Sequence, residues 1–82
     1  MTKLPDYEKR LEYFRINMEY ARNKRKMTRT ALASAIGVTI GYIGLIERGS
    51  RKPSVDIMFK ISDYFELSID DMFSKDLSRE EA

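Results

Sequence analysis

The stretch RTALASAIGVTIGYIGLIER, residues 29–48, decides the fold of this 82-residue chain. Apolar residues recur in it at helical spacing and mark the inner faces of two short helices: Leu32, Ala33 and Ile36, then Ile43 and Ile46. Gly37 separates the two sets, because glycine readily adopts the positive φ that ends a helix and turns the chain. Thr39 follows as a good N-cap for the second helix. The pattern predicts two helices, at roughly 29–36 and 40–47, that cross steeply over a short turn.

Three further helices are predicted on either side of this pair. A long first helix, capped by Asp6, has an apolar stripe formed by Tyr7, Leu11, Phe14, Met18 and Ala21. Ser54 caps a fourth helix at roughly 55–65, whose inward residues are Ile57, Met58, Ile61, Tyr64 and Phe65. Ser68 opens a fifth helix through Met72 and Phe73.

The predicted fold class is therefore all-α, a compact five-helix domain with an extended first helix. The domain is expected over residues 6–73, after a frayed N-terminus at 1–5. A polar C-terminal tail follows at 74–82, and the sequence leaves open whether it extends the helical structure or is disordered. With 82 residues, one small domain is the expectation.

The composition argues against an enzyme. The chain has no cysteine and no histidine, so disulfide scaffolds and the common zinc sites are excluded. No glycine-rich phosphate loop precedes a Lys-Ser or Lys-Thr pair, and capping of the fifth helix accounts for Asp70 and Asp71. We expect no catalytic residues, no cofactor and no metal.

Neither a signal peptide nor a membrane span is expected from the sequence. Residues 1–10 are polar and contain Pro5, and no apolar run approaches the length of a span. The expectation is a cytoplasmic protein with no membrane partner.

Charge is unevenly distributed along the chain. Residues 1–30 hold nine Lys and Arg against four Asp and Glu, a net charge of +5, whereas residues 61–82 hold two against seven, a net charge of −5. A basic half favours a polyanionic partner. A solvated surface with a weak net field is the alternative, and charge alone does not decide between them.

A set of short elements along the chain resembles the Cro/CI-type (Xre-like, lambda-repressor-like) helix-turn-helix family: Arg22, Met27-Thr28, Leu32-Ala33, Gly37-Val38, Ile43, Glu47-Arg48-Gly49, Pro53-Ser54 and Leu67-Ser68-Ile69-Asp70. The resemblance covers roughly residues 14–73, and its most specific part is the Glu-Arg-Gly-x-x-x-Pro-Ser element. It implies a bundle of five helices and a DNA-binding transcriptional regulator of the repressor type. It also implies a two-fold dimer on operator DNA, with the helix at roughly 40–47 in the major groove.

The resemblance assigns roles to particular residues. An arginine late in the first helix pairs with the glutamate that ends the recognition helix, which here implies a structural ion pair between Arg22 and Glu47. The family binds a phosphate at the start of the second helix, which here implies Thr28 and Arg29. Hydroxyl groups or positive charge near the third helix add five further predicted phosphate contacts: Thr39, Tyr42, Arg48, Arg51 and Lys52. The positions that reach base edges correspond to Ile40, Gly41, Gly44 and Leu45.

The base-edge set departs from the family pattern. It lacks the polar side chains that pair with guanine or adenine, although Ile40 and Leu45 can pack on thymine methyl groups. Binding through phosphates and local DNA shape, with modest base selection, is one consequence. An exposed apolar helix also suits a protein interface. The alternative function is therefore a protein-interaction module, of an antitoxin or regulator-binding type, that uses Ile40 and Leu45 to bind a protein partner.

The first helix carries a second apolar stripe, formed by Tyr13, Ile16 and Tyr20, on the side opposite its core stripe. One interpretation is intramolecular, with the fifth helix and the tail, including Phe73 and Leu77, folded over it. The other is a homodimer interface formed by Tyr13, Ile16, Tyr20 and Phe73, which sets two recognition helices about 34 Å apart. The sequence leaves both open.

Overall fold

The computed structural model describes residues 7–80, and within that range it contains six α-helices and no strand. They are α1 Tyr7–Lys24, α2 Arg29–Ile36, α3 Ile40–Glu47, α4 Val55–Phe65, α5 Ile69–Ser74 and α6 Leu77–Glu80. The all-α class and the predicted bounds of α2, α3 and α4 are confirmed. The five-helix count differs by one, because α6 forms within the predicted tail. The predicted frayed segment 1–5 and the predicted cap Asp6 lie outside the described residues.

Hydroxyl side chains begin four of the helices. In each case the side-chain oxygen accepts a hydrogen bond from the backbone N–H three residues on, at 3.0 Å for Thr28, 3.1 Å for Thr39, 3.3 Å for Ser54 and 2.9 Å for Ser68. Each cap satisfies a backbone donor that the helix itself leaves unpaired, and contributes about 1 kcal/mol.

The turn between α2 and α3 depends on Gly37. Its φ is +86°, in the left-handed region, and its N–H donates to the carbonyl of Ala33 at 2.8 Å. The chain direction changes by 111° between the two helices. This angle lies within the range of a helix-turn-helix. Among the described residues no single helix is long and apolar enough to cross a membrane; α2 and α3 reach that composition only together, across this bend.

One hydrophobic core joins all the helices except α6: it contains Phe14, Met18, Ala21, Leu32, Ala33, Ile36, Ile43, Ile46, Ile57, Ile61, Phe65 and Met72. The predicted inner faces of α2 and α3 are confirmed. Tyr7 and Tyr64, which were expected to face inward, are instead 59% and 37% exposed. Tyr64 lies in the last turn of α4, at the rim of the core, where its hydroxyl donates to the Met27 sulfur at 3.7 Å.

A buried amide fixes the C-terminal helices to α1. The Asn17 side chain is 0% exposed, and its Nδ2 donates to the carbonyls of Met72 at 3.0 Å and Lys75 at 2.8 Å. Its Oδ1 accepts from the backbone N–H of Leu77 at 2.8 Å, so the amide bonds the segment from the end of α5 to the start of α6. The tail residues that precede Glu80 are thereby held against α1.

Charged contacts also link α5 to α6. Lys75 Nζ lies 3.6 Å from Asp71 and 3.4 Å from Glu80. These two carboxylates raise the pKa of Lys75 above its ordinary value of 10.5, because they stabilise the charged ammonium.

Candidate nucleic-acid interface

Glu47, the last residue of α3, is a buried carboxylate bound by two arginines. Its side chain is 0% exposed. Oε2 accepts from Arg22 Nε at 2.7 Å, and Oε1 accepts from Arg22 Nη2 at 3.1 Å, which is the bidentate geometry expected of an arginine and a carboxylate. Oε1 also accepts from Arg29 Nε at 2.7 Å. Arg22 belongs to α1 and Arg29 to α2, so this cluster fixes the end of α3 to both neighbouring helices.

Backbone contacts extend the same cluster. Arg22 Nη1 donates to the carbonyl of Met27 at 2.8 Å, which fixes the connection between α1 and α2. Arg15 Nη1 donates to the carbonyl of Glu47 at 3.3 Å. The position of α3 relative to α1 is therefore set by directional hydrogen bonds as well as by apolar packing.

Arg29 has a second neighbour on its solvent side. Its side chain is 42% exposed, and its Nη1 lies 4.0 Å from the point where a Cβ on Gly44 would sit. The Nη1 of Arg48 lies 3.2 Å from the same point. Both guanidinium groups therefore approach Gly44, and the single negative charge of Glu47 does not neutralise Arg22, Arg29 and Arg48 together.

The two glycines of α3 differ in their surroundings. Gly44, which was expected to reach base edges, is buried, since Arg48 lies over it. Gly41 is exposed, and the nearest atom to a Cβ placed there is Thr39 Oγ1 at 4.0 Å. Absence of a side chain at position 44 makes room for Arg48, whereas at position 41 it leaves an open surface.

The solvent-facing side of α3 is apolar at its N-terminal end. Ile40 is 53% exposed, and Leu45 is half-buried. Thr28 precedes α2 and Thr39 precedes α3, and the hydroxyl oxygen of each accepts the capping hydrogen bond. Because a hydroxyl is both donor and acceptor, each threonine can still donate its hydrogen to an anion.

The loop after α3 folds back against that helix. The backbone N–H groups of Ser50 and Arg51 donate to the carbonyl of Leu45, at 2.9 and 3.3 Å. Tyr42 is half-buried, and its hydroxyl accepts from the N–H of Ser54 at 3.2 Å. The Arg51 guanidinium lies over the Tyr42 ring, 5.5 Å from its centroid. Arg51 is thus brought beside α3.

Lys52 contacts the N-terminal end of α1. Its Nζ lies over the ring of Tyr7, 4.7 Å from the centroid, at the N-terminal end of α1. An open groove of about 640 Å³ runs between this part of α1 and the loop, and Arg48, Arg51 and Lys52 line its loop side.

The predicted dimer residues of α1 are half-buried: Tyr13, Ile16 and Tyr20. Phe73, the fourth member of that set, stacks on Phe14 of the same chain, with ring centroids 4.9 Å apart and planes inclined by 22°. For Phe73 the intramolecular interpretation fits this contact, and the dimer interpretation of the set stays a prediction.

Sequence reasoning did not single out Arg15 or Asn17. Asn17 carried a usable signal, since a polar amide falls between Phe14 and Met18 on the inner face of α1. The bond from Arg29 to Glu47 was also missed, because Arg29 was expected to contact phosphate only. Among residues 7–80 no group of three or more metal-ligating side chains lies together.

Residues 18–72 match the helix-turn-helix family. This is more than half of the chain, and the protein belongs to the Cro/CI-type helix-turn-helix family of DNA-binding domains. An uncharacterised HTH-type transcriptional regulator of Methanocaldococcus jannaschii is 36% identical over 56 residues, which cover 68% of this chain and 85% of that protein.

Two solved structures share the fold. The restriction-modification controller protein C.AhdI from Aeromonas hydrophila superposes with a TM-score of 0.69 at 24% identity, covering 77% of this chain and 96% of that one. The hypothetical transcription factor NHTF from Neisseria has a TM-score of 0.77 at 17% identity, covering 99% of this chain and 93% of that one. At these identities the likeness concerns the fold.

Proposed function

We propose that this protein is a transcriptional regulator that binds operator DNA as a two-fold dimer, with α3 in the major groove. The family membership and the regulator named among its relatives support the class. The fixed position of α3 supports the docking mode, since a recognition helix must be held rigidly for its residues to meet the same base pairs each time.

The observation that carries this proposal is that the guanidinium groups of Arg29 and Arg48 both approach Gly44. Like charges near one point of the surface repel each other, and a bound phosphate relieves the repulsion. Arg29 is held from behind by Glu47, so it loses little side-chain freedom when it engages a phosphate. We assign this pair as a phosphate clamp at the edge of the major groove.

Further contacts to the DNA backbone come from residues before and after α3. Thr28 and Thr39 have hydroxyl hydrogens to donate at the starts of α2 and α3, where the helix dipoles also favour an anion. Arg51 and Lys52 supply charge in the loop that follows α3. Tyr42 supports Arg51 through its ring, and we assign it that positioning role.

Base recognition in this proposal is apolar. Ile40 is exposed at the start of α3, and Gly41 beside it leaves space for the helix backbone to approach a base pair. An exposed isoleucine favours a thymine methyl group. We therefore expect modest selectivity at few positions, with much of the affinity from phosphates and DNA shape.

A second candidate function follows from the same exposed isoleucine. Exposed apolar side chains are typical of protein interfaces, and Leu45 lies on the same helix as Ile40. A protein-interaction module that docks through α3 predicts negligible DNA affinity, even at low salt.

The test is DNA affinity measured as a function of salt concentration for three variants. Arg51→Ala is expected to weaken binding to all sequences alike and to reduce the salt slope by about 0.9 for each phosphate that the variant no longer neutralises. Ile40→Ala is expected to leave that slope unchanged and to alter preference at one base-pair position. Arg79→Ala removes an arginine whose side chain is 87% exposed on α6, and serves as the control with unchanged binding.

Each outcome distinguishes the two candidates. Salt-dependent binding that responds to Arg51 but not to Arg79 supports DNA docking through α3. Absence of binding at about 50 mM salt, or equal effects of the two arginine variants, contradicts it.

A further inference from the structure

Five large apolar side chains are more than one-third exposed in the described part of the chain: Tyr7, Ile40, Val55, Phe59 and Tyr64. Lys52 lies over the ring of Tyr7, and the Arg25 guanidinium lies over Tyr64 at 5.4 Å. Ile40 belongs to the proposed DNA surface. Val55 and Phe59 remain, and neither the core nor the proposed DNA surface uses them.

Val55 and Phe59 form one exposed apolar stripe on α4. They are 65% and 53% exposed, and they are four residues apart, so they lie on the same side of the helix. Ser62, on the adjoining part of α4, is buried against Met72 of α5. The stripe therefore borders the line along which α4 packs on α5.

Opposite charges lie directly beside this stripe. Asp56 and Lys60 follow Val55 and Phe59 by one position each, and their side chains form an exposed ion pair at 3.4 Å. An antiparallel partner helix of the same sequence would set Val55 against Phe59 twice. The same arrangement would bring Asp56 of each copy near Lys60 of the other. The face is thus complementary to itself under a two-fold axis.

We propose that the α4 stripe of Val55 and Phe59 is the site at which a second copy of this chain binds. The inference deepens the proposed function and rests on it for the two-fold symmetry. A second copy is the favoured occupant because, in the antiparallel arrangement, Asp56 and Lys60 of one copy would face Lys60 and Asp56 of the other.

The α4 stripe takes the place of Phe73 as the aromatic centre of the proposed interface. The ring of Phe73 is already stacked on Phe14 of the same chain, whereas that of Phe59 is 53% exposed.

The test is sedimentation equilibrium of the full chain without DNA. Wild type is expected to reach twice the 9.6 kDa chain mass, and Phe59→Glu is expected to raise the dimer dissociation constant by at least about 30-fold. Ile40→Glu is the matched control, because Ile40 is also 53% exposed but lies on α3. It is expected to stay dimeric. Circular dichroism checks that both variants remain helical.

Charge reversal tests the pairing itself. Asp56→Lys sets like charges against each other across the proposed axis and is expected to weaken the dimer several-fold. The double variant Asp56→Lys/Lys60→Asp is expected to restore it. Failure of the double variant to recover overturns the antiparallel pairing.

The other outcomes are equally distinct. A wild type that stays monomeric at about 100 µM, or a Phe59→Glu variant that remains dimeric, overturns the assignment whether or not the protein binds DNA. A dimer that depends on Phe59 in a protein that binds no random-sequence duplex at low salt leaves the interface standing, and contradicts the proposed function alone.

Discussion

Replacement of Glu47 by glutamine tests how strongly the arginine cluster holds α3. The change preserves side-chain volume but removes the negative charge that faces Arg22 and Arg29, and it turns one carboxylate oxygen into an amide donor. Arg22 is only 11% exposed, so its charge is left poorly compensated. Removing one partner of a buried ion pair costs about 3–5 kcal/mol.

Two features of the cluster place Glu47→Gln at the lower end of that range. Arg29 is 42% exposed and can be solvated when it is released. Arg22 also keeps its bond to the Met27 carbonyl. We therefore expect a loss of about 3 kcal/mol in the free energy of unfolding. For a domain of this size the melting temperature should fall by roughly 12–24 °C, since each 1 kcal/mol corresponds to about 4–8 °C.

The assay is urea and thermal unfolding followed by far-ultraviolet circular dichroism. Glu66→Gln is the control, since Glu66 is exposed and the same chemical change there should cost less than about 0.5 kcal/mol. The double variant Arg22→Met/Glu47→Met removes both buried charges and should recover part of the loss. A Glu47→Gln variant within about 1 kcal/mol of wild type would refute the reasoning, because the buried charge of Glu47 would then contribute little to holding α3.

Two further predictions concern single side chains. Asn17→Leu should lower the free energy of unfolding by about 2–4 kcal/mol, because three backbone groups of the α5–α6 segment lose their partner; urea denaturation measures it, and the exposed Asn23→Leu on the same helix should cost far less. Gly41→Ala should stabilise the protein by up to about 1 kcal/mol, since its Cβ enters open space. Gly44→Ala should stabilise it less and lower DNA affinity, because the new Cβ displaces Arg48; equal thermal stability and equal DNA affinity of the two alanine variants would contradict the clamp.

The central fold could be predicted because its signals are local. Thr28, Thr39 and Ser54 are hydroxyl caps that can be identified from sequence, and each begins a helix where expected. Gly37 adopts the positive φ that the turn requires. In α2, α3 and α4 the local preference for helix agrees with the tertiary packing, so the sequence pattern alone was sufficient to predict these helices.

The sequence left open whether the C-terminal tail is helical, because the stability of the helix there depends on a distant residue. Residues 77–80 are too few to form a helix on their own strength. The segment is held by Asn17, which lies 60 residues before Leu77, and no local pattern reports that bond. For Tyr64 the local pattern was misleading. Helical periodicity places this residue near the inner face of α4, but the core ends before its ring, which is 37% exposed.

At the candidate site, the sequence predicted which side chains carry charge better than it predicted where those side chains lie. The family pattern placed position 44, which is a glycine in this chain, near the bases, but the side chain of Arg48 covers that glycine. The direction in which a long arginine folds depends on what its neighbours leave open, and a sequence does not contain this information. Arg29 is similar, because its bond to Glu47 requires α2 and α3 to be in place first.

Selection of binding sites from a random pool of DNA duplexes, followed by sequencing, tests the central claim most directly. The proposed docking of α3 predicts enrichment of an inverted repeat whose half-site centres lie about 10 base pairs apart, with thymine favoured at the position facing Ile40. Enrichment of no sequence, with only weak and salt-sensitive binding, would contradict operator recognition through α3.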